Sequence, residues 1–222
     1  VLRTIIKAGD EVILPTPAYV AYAAIIEMAG AKVVEVELKE EDQFKLTPEA
    51  LKGALSDKTK AVILNFPGNP TGGVMDHEDY AKIVPIIKES GIFAVTDEIY
   101  AELTYEGKHC SIASFDEIKD QVIVINGFSK AYSMTGYRVG YILANKTIID
   151  MSLKVHQYTI MCASTPSQYA AIEAVNNGDR DIEEMFLSFK QRRNYIVKEL
   201  NRIGLTTHMP QGAFYVFPSI RI

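Results

Sequence analysis

The stretch VIVINGFSKAYSMTGYRVGY, residues 122–141, sets the organisation of the whole chain. Its first four residues form a short, continuous apolar run, which predicts a buried β-strand. A turn of small residues then places Lys130 just past the end of that strand, and Arg138 follows ahead of a second apolar run. A lysine can bond covalently to an aldehyde while a neighbouring arginine binds a phosphate group. The pair therefore suggests a site for pyridoxal phosphate; the alternative is an ordinary turn with two solvated charges.

Similar apolar runs recur along the chain and alternate with segments of helical periodicity. The predicted buried strands lie at residues 12–14, 61–64, 92–95 and 122–125, with a further strand at 139–143. Short continuous apolar strands separated by helices are typical of a largely parallel sheet that helices cover on both faces. The sequence therefore predicts an α/β fold with three layers, α/β/α.

The pattern changes after about residue 172, and we predict that a second domain begins there. Residues 1–172 are expected to form most of a large α/β/α domain, and residues 173–222 to begin a smaller α+β domain. Near the boundary, Thr165-Pro166-Ser167-Gln168 has the form of a capping box, which predicts the start of a helix.

Local pattern predicts one long helix and two strands in this second part. The helical periodicity covers residues 180–202, and the strands are expected at 206–209 and 214–217. Charged residues at helical spacing most often form a solvated face. Three basic residues are expected to lie on such a face of the long helix: Lys190, Arg192 and Arg193.

Composition excludes several classes of partner. The 222 residues carry a formal net charge of −5 and no basic stripe, so nucleic acid is not an expected partner. No apolar run is long enough to span a bilayer, and a membrane partner is not expected either. Cys110 and Cys162 lie far apart in sequence, which favours a reducing, cytoplasmic location over a disulfide framework. The four histidines lack the spacing of metal ligands, and no metal site is predicted.

Polar residues follow three of the predicted strands at the point where each strand ends. Asn69 lies in the loop after the first, Asp97 and Tyr100 follow the second, and Lys130 follows the third. Because the carboxyl ends of parallel strands share one edge of the sheet, we expect these side chains to converge where ligands bind in open α/β sheets. A further loop contributes Tyr19, either as a core aromatic or as a flat surface for a ligand ring.

Each of these residues also has a simpler interpretation. Asn69-Pro70-Thr71-Gly72 is a favourable β-turn sequence. Asp97 can cap a helix, Tyr100 can be a packing residue, and Tyr22 is expected to pack in the core. The functional interpretation therefore depends on their occurrence together.

Five ordered segments resemble the class I/II aminotransferases, the pyridoxal-phosphate enzymes of the aspartate aminotransferase fold (fold type I). The segments are residues 17–19, 69–72, 97–100, 129–140 and 212–215. Each motif alone is weak, but five in family order are specific, and the resemblance covers essentially the whole chain. It implies a homodimer that transfers an amino group reversibly between an amino acid and a 2-oxo acid, by a ping-pong mechanism.

The resemblance also implies a role for each matching residue. Lys130 would form the internal aldimine and then move a proton on the bound substrate. Asp97 would pair with the pyridinium nitrogen and keep the ring protonated. Tyr100 and Asn69 would hydrogen-bond the ring's phenolic oxygen, and Asn69 would also help to bind the substrate carboxylate. Tyr19 would stack on the face of the ring.

The cofactor phosphate would be held by Arg138, whose planar guanidinium suits a bidentate contact, with Ser129 as a further contact. The chain departs from the family pattern at Gly127, where some members have a serine, and at Tyr137, where many have a tryptophan. The family's phosphate cup and its carboxylate-binding arginine are expected before residue 1 and after residue 222. We therefore expect the chain to be an internal portion of a longer aminotransferase, with weakened cofactor binding.

Other functions would use the same residues. A carbon–sulfur lyase or a synthase of the same fold type shares Lys130, Asp97 and Arg138 and differs only in the fate of the bound substrate. A non-catalytic fragment or a pyridoxal-phosphate-binding regulator is a further alternative. Among amino donors, aspartate, aromatic, alanine-type and N-acyl-diamino acids all remain open.

Overall fold

Six strands form one mixed sheet in the computed structural model, which describes residues 1–220. The strands are β1 (Glu11–Thr16), β2 (Lys32–Glu37), β3 (Thr59–Asn65), β4 (Phe93–Asp97), β5 (Val122–Gly127) and β6 (Gly140–Leu143). Their order across the sheet is β2-β1-β3-β4-β5-β6. All neighbouring pairs are parallel except β5 and β6, which are antiparallel. The predicted α/β fold with a mostly parallel sheet is confirmed.

Helices connect the strands and continue the chain after the sheet. They are α1 (Leu2–Ile5), α2 (Ala21–Met28), α3 (Pro48–Ala54), α4 (His77–Ser90), α5 (Lys146–Thr159), α6 (Thr165–Asn177) and α7 (Asp179–Arg202). Local sequence explains where several of them begin. Thr47 Oγ1 accepts a hydrogen bond from Ala50 N at 3.2 Å, and Asp76 forms a capping box with Asp79. Both side chains satisfy backbone N–H groups that a helix start leaves without partners.

The two faces of the sheet carry separate cores, because successive strand residues point to opposite sides. On one face, Ile13, Val62, Leu64 and Ala94 pack against residues of α3 and α4. On the other face, the alternate residues of the same strands pack against α1, α2 and Ile148 of α5. This arrangement gives the three predicted layers, and it explains why the strands read as continuous apolar runs.

The register of the three parallel strands brings the ends of β3 and β4 to one level, and β5 continues two residues further. Asn65 at the end of β3 lies opposite Asp97 at the end of β4, and Asp97 lies opposite Ile125 of β5. The loops that follow these three strands therefore leave the sheet side by side. This edge is the place where the predicted site residues were expected to meet.

The capping-box prediction at Thr165 is wrong, although a helix does begin there. The N-cap of α6 is Ser164, and no side chain caps the helix. The Gln168 side chain instead donates to the Ala163 carbonyl at 2.8 Å. The first turn is set by the proline that follows Thr165, because proline's fixed backbone angle suits the start of a helix.

The two predicted strands at 206–209 and 214–217 are also wrong within the described residues. Only isolated bridges occur there, one between Thr207 and Pro218 and one between Gly212 and Thr104. Isolated bridges do not form the continuous ladder that defines a strand. The apolar and β-branched residues of these segments instead pack irregularly beside α7 and the sheet edge.

Arg193 was expected to be solvated, and it is buried, with 7% of its surface exposed. Its guanidinium lies 4.6 Å from the ring centre of Tyr105 and donates to Glu106 Oε1 at 2.9 Å. It also donates to the carbonyl oxygen of Pro210 at 3.0 Å. Arg193 therefore attaches α7 to two loops near the sheet edge, rather than forming part of a solvated face.

The division into residues 1–172 and 173–222 stays a prediction. Position 172 lies inside α6, so the same helix belongs to both predicted parts. The last two residues of the second part, 221 and 222, lie outside the described residues. Within residues 1–220, none of the helices combines the length and the apolar character that crossing a membrane requires.

Candidate active site

Asp97 is the last residue of β4, and its carboxylate is held by two donors. Tyr22 Oη donates to Oδ2 at 2.8 Å, and the backbone N–H of Ile99 donates to Oδ1 at 3.1 Å. Burial raises the pKa of Asp97 above its ordinary value, although both hydrogen bonds act in the opposite direction. None of the ion pairs among residues 1–220 includes this carboxylate. A cationic group of a ligand would therefore be stabilised beside it.

Tyr22 is a site residue that the sequence analysis missed, because its position was interpreted as core packing. Its ring is indeed buried, at 8% exposure, but its hydroxyl reaches Asp97 from a residue far away in sequence. Burial and the nearby carboxylate both raise the pKa of Tyr22, so the hydroxyl stays a donor at neutral pH. The available signal was the spacing from Tyr19, three residues earlier. The two rings meet edge to face, with centres 5.6 Å apart.

Glu98, the residue after Asp97, is directed into a separate buried cluster. Its carboxylate accepts from Thr96 Oγ1 at 3.2 Å and from Ser111 Oγ at 2.7 Å, and it pairs with His109 Nε2 at 2.9 Å. These contacts fix the turn that follows β4. They hold Asp97 and Tyr100 on the side of the predicted site.

Tyr100 and Asn69 meet at the hydroxyl of Tyr215. Tyr100 is only 4% exposed, and its hydroxyl oxygen lies 2.7 Å from Tyr215 Oη. Asn69 Nδ2 donates to the same oxygen at 3.3 Å. The motifs predict a role for Asn69 and Tyr100 but none for Tyr215, although Tyr215 lies in the matching segment 212–215. Nothing in the local pattern shows that a residue so distant in sequence reaches this point.

The segment that carries Tyr215 is held against the turn of Asn69 by a close backbone approach. The N–H groups of Gln211 and Gly212 both donate to the carbonyl oxygen of Gly72, at 2.9 and 3.0 Å. A Cβ atom at Gly72 would lie 2.3 Å from Cβ of Pro210, so no larger residue fits there. Gly72 also has a φ of +71°, which favours glycine.

Lys130 is half-buried beside aromatic rings. Its Nζ lies 5.8 Å from the ring centre of Tyr100 and 5.4 Å from that of Phe214. Within the described part of the chain, no hydrogen bond or ion pair engages this amino group. The predicted attachment residue therefore lies next to Tyr100 with its nitrogen uncommitted. A lysine in that state is chemically suited to attack a carbonyl carbon.

Ser129 and Arg138 lie in the loop between β5 and β6, away from the contacts described so far. Gly127 and Gly140 are partners across the two strands, and a Cβ atom at Gly127 would lie 3.0 Å from Cα of Gly140. Ser129 lies two residues after Gly127 and Arg138 two residues before Gly140, so the pairing of these glycines brings both ends of the loop together at the end of β5. The Arg138 side chain is exposed and donates to the Thr135 carbonyl at 2.8 Å. Within residues 1–220, no hydrogen bond or ion pair joins the side chain of Arg138 or Ser129 to another predicted site residue.

The chain belongs to the family described as aminotransferase class I and II, whose sequence profile matches residues 1–221. It is 47% identical over 219 residues to the probable N-acetyl-LL-diaminopimelate aminotransferase of Bacillus subtilis. It is 41% identical over 223 residues to the aspartate aminotransferase of Pyrococcus abyssi. Each alignment includes 99% of this chain. The resemblance found in the five sequence motifs is confirmed.

Solved structures show the same fold. The aromatic aminotransferase from Pyrococcus horikoshii superimposes with a TM-score of 0.96 at 42% identity, over 99% of this chain and 60% of that one. The alignments to the two curated relatives cover 55% and 57% of those proteins. The chain therefore spans somewhat more than half the length of the relatives it matches.

The raised pKa of Asp97 predicts a pH-dependent effect on stability. Because the folded pKa lies above that of the unfolded chain, the ionised carboxylate opposes folding, and this cost appears as pH rises through the folded pKa. Asp97→Asn removes the charge and keeps an oxygen that can accept from Tyr22. In the cofactor-free protein we expect the variant to be more stable than the parent at pH 8 and equal below about pH 4. Urea unfolding at a series of pH values measures both.

Asp57→Asn is the matched control for this measurement, because Asp57 is exposed. It should leave the pH dependence of unfolding unchanged. A stability difference between Asp97→Asn and the parent that is the same at pH 4 and pH 8 would contradict the argument.

Proposed function

We propose that the protein binds pyridoxal 5′-phosphate and catalyses transfer of an amino group between an amino acid and a 2-oxo acid. The observation that carries the proposal is the Asp97 carboxylate, which lies at a strand end with two hydrogen-bond donors and no cation. The nearby Lys130 nitrogen is uncommitted as well. Family membership supports the same activity. When bound, the cofactor would supply an electron sink for the substrate's Cα–H bond.

The residues around Asp97 fit the ring of this cofactor. The carboxylate would accept a hydrogen bond from the protonated ring nitrogen, and that cation would offset the cost of burying Asp97. Tyr22 would keep the carboxylate oriented. Tyr19, which is 48% exposed and meets the ring of Tyr22 edge to face, is proposed as the stacking surface for the cofactor ring. Tyr100 and Asn69 would donate to the ring's phenolic oxygen.

Lys130 has two roles in the proposal. Its amino group would hold the cofactor aldehyde in the resting protein. Once the amino group of the substrate has displaced it from that bond, the released Lys130 amine would accept the proton from the substrate Cα and return it to the cofactor side. Both roles need the neutral amine for part of the cycle. The rings of Tyr100 and Phe214 lie 5.8 and 5.4 Å from the nitrogen, and no ion pair within residues 1–220 holds it away from a ligand.

The phosphate and the substrate carboxylate would be bound at the rim of the site. Arg138 and Ser129 are proposed to bind the phosphate, with the exposed guanidinium free to turn from Thr135 towards the ligand. Asn69 is proposed to contribute to binding of the substrate carboxylate. The half-reactions would follow each other in ping-pong order, because one site serves both substrates.

The amino donor is proposed only as a class. Relatives at similar identity carry names that refer to aspartate, aromatic amino acids and N-acetyl-LL-diaminopimelate. The proposal is therefore an amino acid and a 2-oxo acid as substrates, in the cytoplasm. The competing candidate is a carbon–sulfur lyase of the same fold type, which would use Lys130 and Asp97 in the same way.

Removing Lys130 tests the attachment of the cofactor. We expect Lys130→Ala to abolish the absorbance band near the visible region that the parent protein develops with pyridoxal phosphate, because no covalent bond can form. Lys198→Ala, which changes an exposed lysine of α7, should develop the band normally. Survival of the full band in Lys130→Ala would overturn the assignment.

Substrate assays separate the two candidate reactions. A transaminase should convert an amino donor and a 2-oxo acid in equal amounts, and Asp97→Ala should lower kcat/KM by a factor of 100 or more, on the order of 3 kcal/mol or more. A carbon–sulfur lyase should instead release pyruvate and ammonia from cystathionine without an oxo-acid partner. The second result would replace the proposed reaction while leaving the cofactor site intact.

The proposal includes a homodimer, and exposed apolar side chains support it. Monomeric proteins rarely expose large contiguous apolar patches. Several large apolar residues on β6, α5, α6 and the connection between the two helices are exposed: Tyr141, Leu143, Met151, Tyr158, Ile160, Met161, Tyr169 and Ile172.

Sedimentation equilibrium tests the dimer. We expect twice the monomer mass, and we expect Ile160→Asp to shift the protein towards the monomer because a buried charge at an interface is costly. Leu187→Asp, at a similarly exposed position of α7, is the control and should leave the mass unchanged. A parent protein that sediments as a monomer at high concentration would refute the proposal.

A further inference from the structure

We propose that Tyr215 is a positioning residue that orients Tyr100 and Asn69 towards one anionic oxygen of the ligand. The inference rests on the proposed function and adds a residue to it. Its observation is the hydroxyl of Tyr215, which contacts both side chains that were assigned to the cofactor's phenolic oxygen. Tyr215 thus links two donors that lie in the loops after two different strands, β3 and β4.

The side chains of Tyr215, Tyr100 and Asn69 form a cluster in which some donor hydrogens have no acceptor within the described part of the chain. Asn69 Nδ2 can only donate, so the 3.3 Å contact makes Tyr215 Oη an acceptor. The two tyrosine hydroxyls, 2.7 Å apart, share one hydrogen between them, and either can be its donor. The second hydroxyl hydrogen has no acceptor among residues 1–220, and neither has the second hydrogen of Asn69 Nδ2. These two hydrogens can therefore form hydrogen bonds only when a further acceptor is present.

The charge of that acceptor follows from the surroundings. Tyr100 is buried, and burial is the main cause that raises its pKa, so it stays protonated. Neutral donors in a partly buried site stabilise an anionic oxygen better than a neutral acceptor. A bound oxyanion would accept a hydrogen bond from the Tyr100 hydroxyl. The Tyr215 hydroxyl would then donate its hydrogen to the Tyr100 oxygen. The sequence of donors would run from Asn69 through Tyr215 to Tyr100 and the ligand.

Tyr215 is placed by its backbone rather than by this hydroxyl. The neighbouring Ala213 N–H donates to the Leu103 carbonyl at 3.0 Å, and Tyr105 N–H donates to the Gln211 carbonyl at 2.8 Å. The ring of Tyr215 also packs at 80° to that of Tyr100, with centres 5.8 Å apart. Removing only the hydroxyl therefore leaves the ring in position, and Tyr215→Phe isolates the hydrogen bond.

The substitution has a defined spectroscopic consequence. The absorbance of the linkage between Lys130 and pyridoxal phosphate changes with pH as the linkage nitrogen gains or loses a proton. In the deprotonated state the ring oxygen depends on protein donors alone, whereas in the protonated state it also receives the hydrogen of the nitrogen. Weaker donation from Tyr100 therefore disfavours the deprotonated state. Loss of the Tyr215 hydroxyl should raise the pKa of the linkage.

The experiment is a pH titration of the absorbance spectrum of the protein loaded with pyridoxal phosphate. We expect Tyr215→Phe to raise the midpoint by about 0.5 pH unit, the effect of one net hydrogen bond of ordinary strength. Tyr195→Phe, which removes an exposed hydroxyl on α7, should titrate like the parent. Thermal unfolding of all the variants checks that the fold is retained.

A second pair of variants separates positioning from a general structural effect. In a Tyr100→Phe background, Tyr215→Phe should add a smaller shift than in the parent, because only its contact with Asn69 is left to lose. Equal shifts in both backgrounds, or an unchanged midpoint in Tyr215→Phe, would overturn the inference. If the parent protein forms no Lys130-dependent band with pyridoxal phosphate, the proposed function fails first, and the two failures are thus distinguishable.

Discussion

The parallel register of β3, β4 and β5 is the constraint on which the candidate site depends. Asn65 and Asp97 lie opposite each other at the ends of β3 and β4, and Asp97 lies opposite Ile125, two residues before the end of β5. The three following loops therefore leave the same side of the sheet. A slip of one residue in β4 would exchange Asp97 with Glu98, because successive side chains point to opposite faces. The cores on both faces oppose such a slip, since it would also exchange all the buried residues of that strand.

A second constraint is the contact between the 210–213 segment and the turn around Gly72, and it connects parts that are distant in sequence. Arg193 extends this contact to α7 through the Pro210 carbonyl. The hydroxyl of Tyr215 reaches Asn69 and Tyr100 only because these backbone contacts hold its segment in place. The helical part of the chain after the sheet thus contributes directly to the geometry at the sheet edge.

The limits of the sequence-based analysis follow from the range of each interaction. The strands were predictable because burial on both faces leaves a local, continuous apolar run. Tyr22 and Tyr215 were not identified, because their importance lies in single hydroxyl contacts to residues far away in the chain. Arg193 was misjudged for a related reason: charge at helical spacing indicates solvent exposure until a partner such as Tyr105 is known. The residues that the motifs did identify, Asp97 and Lys130 among them, follow strand ends.

The unsatisfied groups at this edge together limit which ligand can fit. Within residues 1–220, Asp97 has no ion-pair partner, while Asn69 and the pair of Tyr100 and Tyr215 each have one hydrogen without an acceptor. In the same residues, no ion pair includes the amino group of Lys130. A simple anion would satisfy only the donors, and a simple cation only Asp97. The proposed cofactor, a flat ring with a cationic nitrogen at one position, an anionic oxygen at another and an aldehyde beside it, would satisfy all of these groups at once. Whether a ligand fits depends on the positions of these side chains as well as on their number. Because the register of the three strands sets those positions, it determines which ligand the site can bind.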